Sequence, residues 1–134
     1  MAYGNVYVDG VQSSIAGTPP LFYDGNSTQI GTLCRAWARL YWNGSIVSVA
    51  SGYNVSSVTR TSAGVYTVNF STALSDANYA IVTAATTAVN GTTSSAPIGV
   101  TAPTASAFQI SCAYFANAIN NPYDPTYTCV SVFR

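Results

Sequence analysis

The stretch GYNVSSVTRTSAGVYTVNF, residues 52–70, decides the fold. In its second half Tyr66, Val68 and Phe70 alternate with Val65, Thr67 and Asn69, the period of two that marks a strand with one face in a core. Ser62-Ala63-Gly64 supplies a turn, and residues 53–61 run up to it as the antiparallel partner, so the segment reads as a β-hairpin. Apart from Arg60 it holds no charge and no group that exchanges a proton near neutral pH.

The same grammar extends outward. CRAWARLYW (34–42) alternates strictly, with Cys34, Ala36, Ala38, Leu40 and Trp42 on one face and Arg35, Trp37, Arg39 and Tyr41 on the other. Asn43-Gly44 follows at once; both residues tolerate the positive φ of a type I′ turn, so SIVSVAS (45–51) is expected to return antiparallel. Further strands are expected at 5–9, 21–24, 78–86, 96–102, 106–115 and 128–134, with a second Asn-Gly turn at 90–91. No stretch of ten residues has helical periodicity, although 112–119 has the composition to end in a helical turn. Many short strands separated by turn residues imply an all-β, antiparallel β-sandwich, a single domain of jelly-roll-like form over residues 31–134. Residues 1–30, with Gly17-Thr18-Pro19-Pro20 in their middle, read as an N-terminal arm or attachment segment, and 116–127 as a loop whose two prolines bar it from a central strand.

Composition narrows the function. Of 134 residues 6% are charged, against about 25% in ordinary soluble domains. The charges reduce to Arg35, Arg39, Arg60 and Arg134 against Asp9, Asp24, Asp76 and Asp124, with no Lys, Glu or His. Four arginines in a neutral chain do not make the basic stripe that tracks phosphates, so nucleic acid is not an expected partner. Neither is a membrane: the apolar run YAIVTAA (79–85) is too short to span one, and the opening MAYGNVYVDG lacks the pattern of a signal peptide, so synthesis in a cytosol is expected. Cys34, Cys112 and Cys129 are an odd number. They read as buried free thiols, with a Cys112–Cys129 bridge between neighbouring strands as the alternative. Five Asn-x-Ser/Thr matches, at Asn26, Asn43, Asn54, Asn69 and Asn90, are what a chain rich in Ser and Thr produces by chance and are not read as glycan sites.

Catalytic chemistry finds little to use. Serine or cysteine nucleophiles lack a histidine or lysine base, and three dispersed cysteines give no zinc site. DGNST (24–28) lacks the spacing and the closing Glu of a calcium loop. Asp76 and Asp124 are the one carboxylate pair to weigh for glycoside hydrolysis, and both sit in ordinary turn contexts. The reading is a non-enzymatic protein with no catalytic residue, cofactor or metal. Candidate receptor or subunit contacts are the stripe Arg35, Trp37, Arg39 and Tyr41, and Asn120, Asn121, Tyr123 and Tyr127 in the 116–127 loop. A chain without Lys or Glu to protect its sheet edges is expected to cover them by forming a closed homo-oligomer.

The Ala36-Trp37 strand, the Asn-Gly turn and YNVSSVTRTSAGVYTVNFSTALSDANYAIV (53–82) resemble a theme of bacteriophage virion proteins, the tips of tail fibres and tail spikes; VSVFR (130–134) resembles their last strand. The resemblance covers 34–86 and 128–134. It implies a trimeric β-sandwich knob on a virion assembled in the host cytoplasm, joined to tail or major capsid proteins and touching a host-surface glycan through the 116–127 and 87–95 loops. It carries over no catalytic residue. ARLYWNG departs from the theme's usual Asn-Phe run, and the 33 residues before the matching region are too few for a fibre shaft. A capsid decoration or cement protein, a head fibre that stabilises the phage head, is therefore the alternative expectation.

Overall fold

Antiparallel pairing dominates the computed structural model, which describes residues 10–11, 14, 20, 22–23, 25–86, 96–101, 103–116 and 119–134. Two compact units divide the chain between Leu33 and Cys34. In the first, β1 (Phe22–Tyr23) and β2 (Gln29–Gly31) pair antiparallel. The expected strand at 5–9 and the Asn90-Gly91 turn lie outside the described residues.

The second unit is an antiparallel β-sandwich. Its strands are β3 (Cys34–Trp42), β4 (Val47–Tyr53), β5 (Val55–Ser62), β6 (Val65–Phe70), β7 (Ala80–Ala85), β8 (Ala96–Thr101), β9 (Ala107–Ala116), β10 (Ile119–Pro122) and β11 (Tyr127–Phe133). One sheet runs β4-β3-β11-β7, and the other is built on β5, β6 and β9 with β8 and β10 also paired to β9. Inward residues from both sheets form one core: Ala36, Ala38 and Leu40 of β3 and Val130 and Val132 of β11 meet Tyr66, Val68 and Phe70 of β6 and Phe108, Ile110 and Cys112 of β9. The alternation in β6 is complete, each of Tyr66, Val68 and Phe70 being buried between less buried neighbours.

Local devices set the corners. At Asn54 the chain passes from one sheet to the other with φ 53°, a left-handed conformation that asparagine tolerates. Its amide nitrogen donates to the carbonyls of Arg35 (3.2 Å) and Thr72 (3.1 Å), and its Oδ1 accepts the Thr72 N–H at 2.7 Å. At Asn43-Gly44 the expected type I′ turn is replaced by a longer one. Only Gly44 has positive φ, and Asn43 Oδ1 accepts the N–H groups of Ser45 and Ile46, so the side chain shapes the turn and β4 begins at Val47.

Further sequence readings need correction. Residues 119–122, expected in a loop, form β10 against Ala113–Ala116; β10 is an edge strand, where the missing N–H of Pro122 is tolerated. The helical turn allowed for at the end of 112–119 is absent among the described residues, where 112–116 and 119 are strand. A Cys112–Cys129 bridge is also absent, and of the three free thiols expected to be buried only Cys112, on β9, is: Cys34 is half-buried, and Cys129 is exposed on β11 in the other sheet.

β9 is longer than its neighbours, and one of its edges serves two of them. The Cys112 N–H donates to the Gly64 carbonyl (2.7 Å), while the Cys112 carbonyl accepts the Tyr123 N–H (3.1 Å). Both groups of one strand residue point to the same side. The β5–β6 turn and the end of β10 therefore meet there.

Candidate functional site

Sheet register turns the stripe read on β3 into a surface. Trp37 pairs with Tyr53 on β4 and Ser131 on β11, and Ser131 pairs with Val82 on β7. The next row is Ser51, Arg39, Cys129 and Ala84; the third is Ser48, Tyr41 and Tyr127. Directly paired residues point to the same face, so this outer face presents an aromatic row, a row centred on a guanidinium, and a second aromatic row. Trp37, Tyr41, Tyr53 and Val82 are 41%, 36%, 60% and 60% exposed. Among the described residues of the sandwich, Ile46 in the β3–β4 turn is the other exposed large hydrophobic.

In the third row the two rings contact each other, and one of them meets the cation of the second. Tyr41 and Tyr127 rings lie 5.3 Å apart, and the Arg39 guanidinium carbon sits 3.9 Å from the Tyr127 centroid. By alternation Arg35 belongs to the same face, two residues from Trp37. Neither Arg35 nor Arg39 pairs with a carboxylate among the described residues.

The opposite outer face has different chemistry. Thr67 bridges Thr61 (3.4 Å) and Gln109 (3.1 Å), and Asn69 donates to Ser57 (3.0 Å). It is a ladder of hydroxyls and amides bonded among themselves.

A second feature lies at one end of the sandwich, an open cleft of about 520 Å³ lined by Tyr41, Trp42, Asn43, Gly44, Pro122, Tyr123, Asp124 and Thr126. Its floor is a polar knot around Asp124. Arg60 donates through Nε and Nη2 to the carboxylate (3.1 and 2.9 Å), the Gly64 N–H donates to Oδ1 (2.9 Å), and the Tyr66 hydroxyl donates to Oδ1 (2.7 Å). Burial by itself raises the Asp124 carboxyl, but the hydrogen bonds from Arg60, Gly64 and Tyr66 and the charge of Arg60 outweigh it and hold the group below its usual range. Burial, followed by the bond to Asp124 and its charge, pushes the Tyr66 phenol up. The Arg60 guanidinium also lies 5.1 Å from the Trp42 ring centroid, tying β5 to β3.

Of the candidate contact residues, Arg35, Trp37, Arg39 and Tyr41 share the aromatic face, and Tyr127 joins them from β11 rather than from a loop. Tyr123 is set apart in the cleft, its ring 5.9 Å from that of Tyr114. Asn120 and Asn121 lie on β10 in the other sheet, in register with Phe115 and Tyr114. Sequence alone missed Tyr53, which enters the face only through its pairing with Trp37, and the Asp124 knot, whose partners lie about 60 residues away in the chain.

The two aspartates weighed as a hydrolytic pair are held in separate ion pairs, Asp124 with Arg60 at 2.9 Å and Asp76 with Arg134 at 2.6 Å. Among the described residues no three His, Cys, Asp or Glu side chains converge as metal ligands would. Comparison with known proteins yields no matching family model, no similar curated protein and no similar solved structure.

Proposed function

We propose that this chain is a non-enzymatic structural protein of a bacteriophage particle, a tail-fibre or spike-tip-like knob that assembles as a homotrimer on the virion surface and attaches it to the host. The observation that carries this reading is the contrast between the outer faces. One is a polar ladder bonded within itself, while the other holds Trp37, Tyr41 and Tyr53 in the open. Exposed aromatic residues clustered on one face mark a contact surface. The hairpin at 53–70 and the strand around Trp37 supply the resemblance to virion tips. Both carboxylates of the sandwich are committed to ion pairs, which supports a role in contact rather than bond breaking.

Immunogold labelling and reconstruction of intact particles carrying this chain test the reading. A few copies at the tail extremity are expected. Hundreds of copies on the head would favour the decoration or cement role instead, and absence from particles would overturn both.

A further inference from the structure

We infer that the outer face of the β4-β3-β11-β7 sheet binds an acidic polysaccharide, with Trp37, Tyr53 and Tyr41 under sugar rings and Arg35 and Arg39, the latter seated on the Tyr127 ring, on carboxylates. This rests on the attachment role proposed above and names the ligand class. Charge decides the first step. Among the described residues the face carries two guanidinium groups and no carboxylate, and the sandwich's own acids, Asp76 and Asp124, are already paired with Arg134 and Arg60. Among the described residues the sandwich therefore offers Arg35 and Arg39 no anionic complement, and guanidinium forks match the carboxylates of a partner.

Area decides against a second copy. From the Trp37 row to the Tyr41 row is four residues, roughly 13 Å at about 3.3 Å each, and four strands about 4.8 Å apart span roughly 14 Å. With side-chain margins the patch is about 400 Å², half of the ~800 Å² per partner in a standard protein interface. Two copies meeting through this face would also oppose like charges. A peptide is disfavoured for another reason. Peptides gain affinity by adding to sheet edges or filling grooves, whereas the main-chain groups in the middle of this face are spent on β3 and β11 pairing. A glycan brings its own hydroxyls and carboxylates. Ser48, Ser51 and Ser131 stand among the aromatic and cationic rows to meet the hydroxyls.

The test is calorimetric titration of the full chain with polygalacturonate, its fully methyl-esterified form, polysialate and poly-glutamate. Binding to at least one acidic glycan is expected, at least tenfold weaker to the esterified polymer and falling as salt rises. Trp37→Ala and Arg39→Gln should each weaken it at least tenfold, and Thr61→Ala on the opposite outer face should leave it unchanged. All three side chains are away from the core, and circular dichroism verifies that each variant is folded. Binding to neither acidic glycan overturns the inference, as does equal binding to poly-glutamate, which would make the surface a simple cation patch. Self-association in light scattering that disappears in Trp37→Ala would also overturn it by placing a second copy there. A chain found on particles that binds neither glycan sinks this inference alone; glycan binding by a chain absent from particles sinks the virion reading alone.

Discussion

Single residues in this molecule show which local rules are satisfied and which are broken. Gly64 has φ 70°, and a Cβ there would lie 2.2 Å from the Cys112 carbonyl oxygen and 2.8 Å from the Tyr123 nitrogen. Those atoms are backbone held by hydrogen bonds, so they have no easy way to yield. Gly64→Ala is expected to cost about 3 kcal/mol or more, combining left-handed strain with displacement of two strands, and a urea midpoint near that of the parent would refute this. Thr128 is the opposite case. Its side chain is buried, and its hydroxyl lies beside the Cys112 thiol, a weak partner, without a well-formed hydrogen bond among the described residues. Thr128→Val removes a poorly compensated polar atom at nearly constant volume and should stabilise the fold by about 1 kcal/mol, seen as a higher thermal midpoint.

Among the elements, β3 was the most legible from sequence. Its alternation is strict, both ends match, and its inward face is the core. The hairpin β5–β6 was legible for the same reason. β10 was not, because Asn120, Asn121 and Pro122 have loop chemistry and form a strand only where β9 offers them an edge. The functional face was half legible. The stripe on β3 is a local pattern, but Tyr53, Val82 and Cys129 join it through pairings whose register no single segment encodes. The Asp124 knot was invisible for the same physical reason, since ion pairs across 64 residues leave no periodicity. Asn54 shows how a corner is held between elements, its side chain joining β3 to the segment after β6. Asn54→Ala should cost about 2 kcal/mol by losing those bonds and the tolerance for positive φ. Amide exchange around residues 71–72 should quicken in that variant, and unchanged rates would argue against the clamp.

For the whole molecule, the knot of Asp124, Arg60, Tyr66 and Gly64 fixes how stability responds to pH. The Asp124 carboxyl is held below its unfolded value, so its contribution is full above about pH 4 and is lost as pH falls through the lower folded value. The Tyr66 phenol is raised, so its contribution is full below about pH 10 and is lost as pH rises beyond it. Asp124→Asn should cost about 2 kcal/mol at pH 7, by weakening the hydrogen bonds that the carboxylate accepts from the Gly64 N–H, the Tyr66 hydroxyl and the exposed Arg60. The deficit should shrink near pH 2; urea melts at the two pH values measure it, and an equal deficit at both would exclude the linkage. The position of β11 between β3 and β7 has a further consequence, for synthesis. As the chain leaves the ribosome, residues 34–42 wait for 127–133 before their sheet gains its central neighbour. Acquisition of the sandwich is therefore a late event dominated by distant pairings, slow by the standards of small domains, and a nascent chain stalled before Tyr127 should be digested readily by protease.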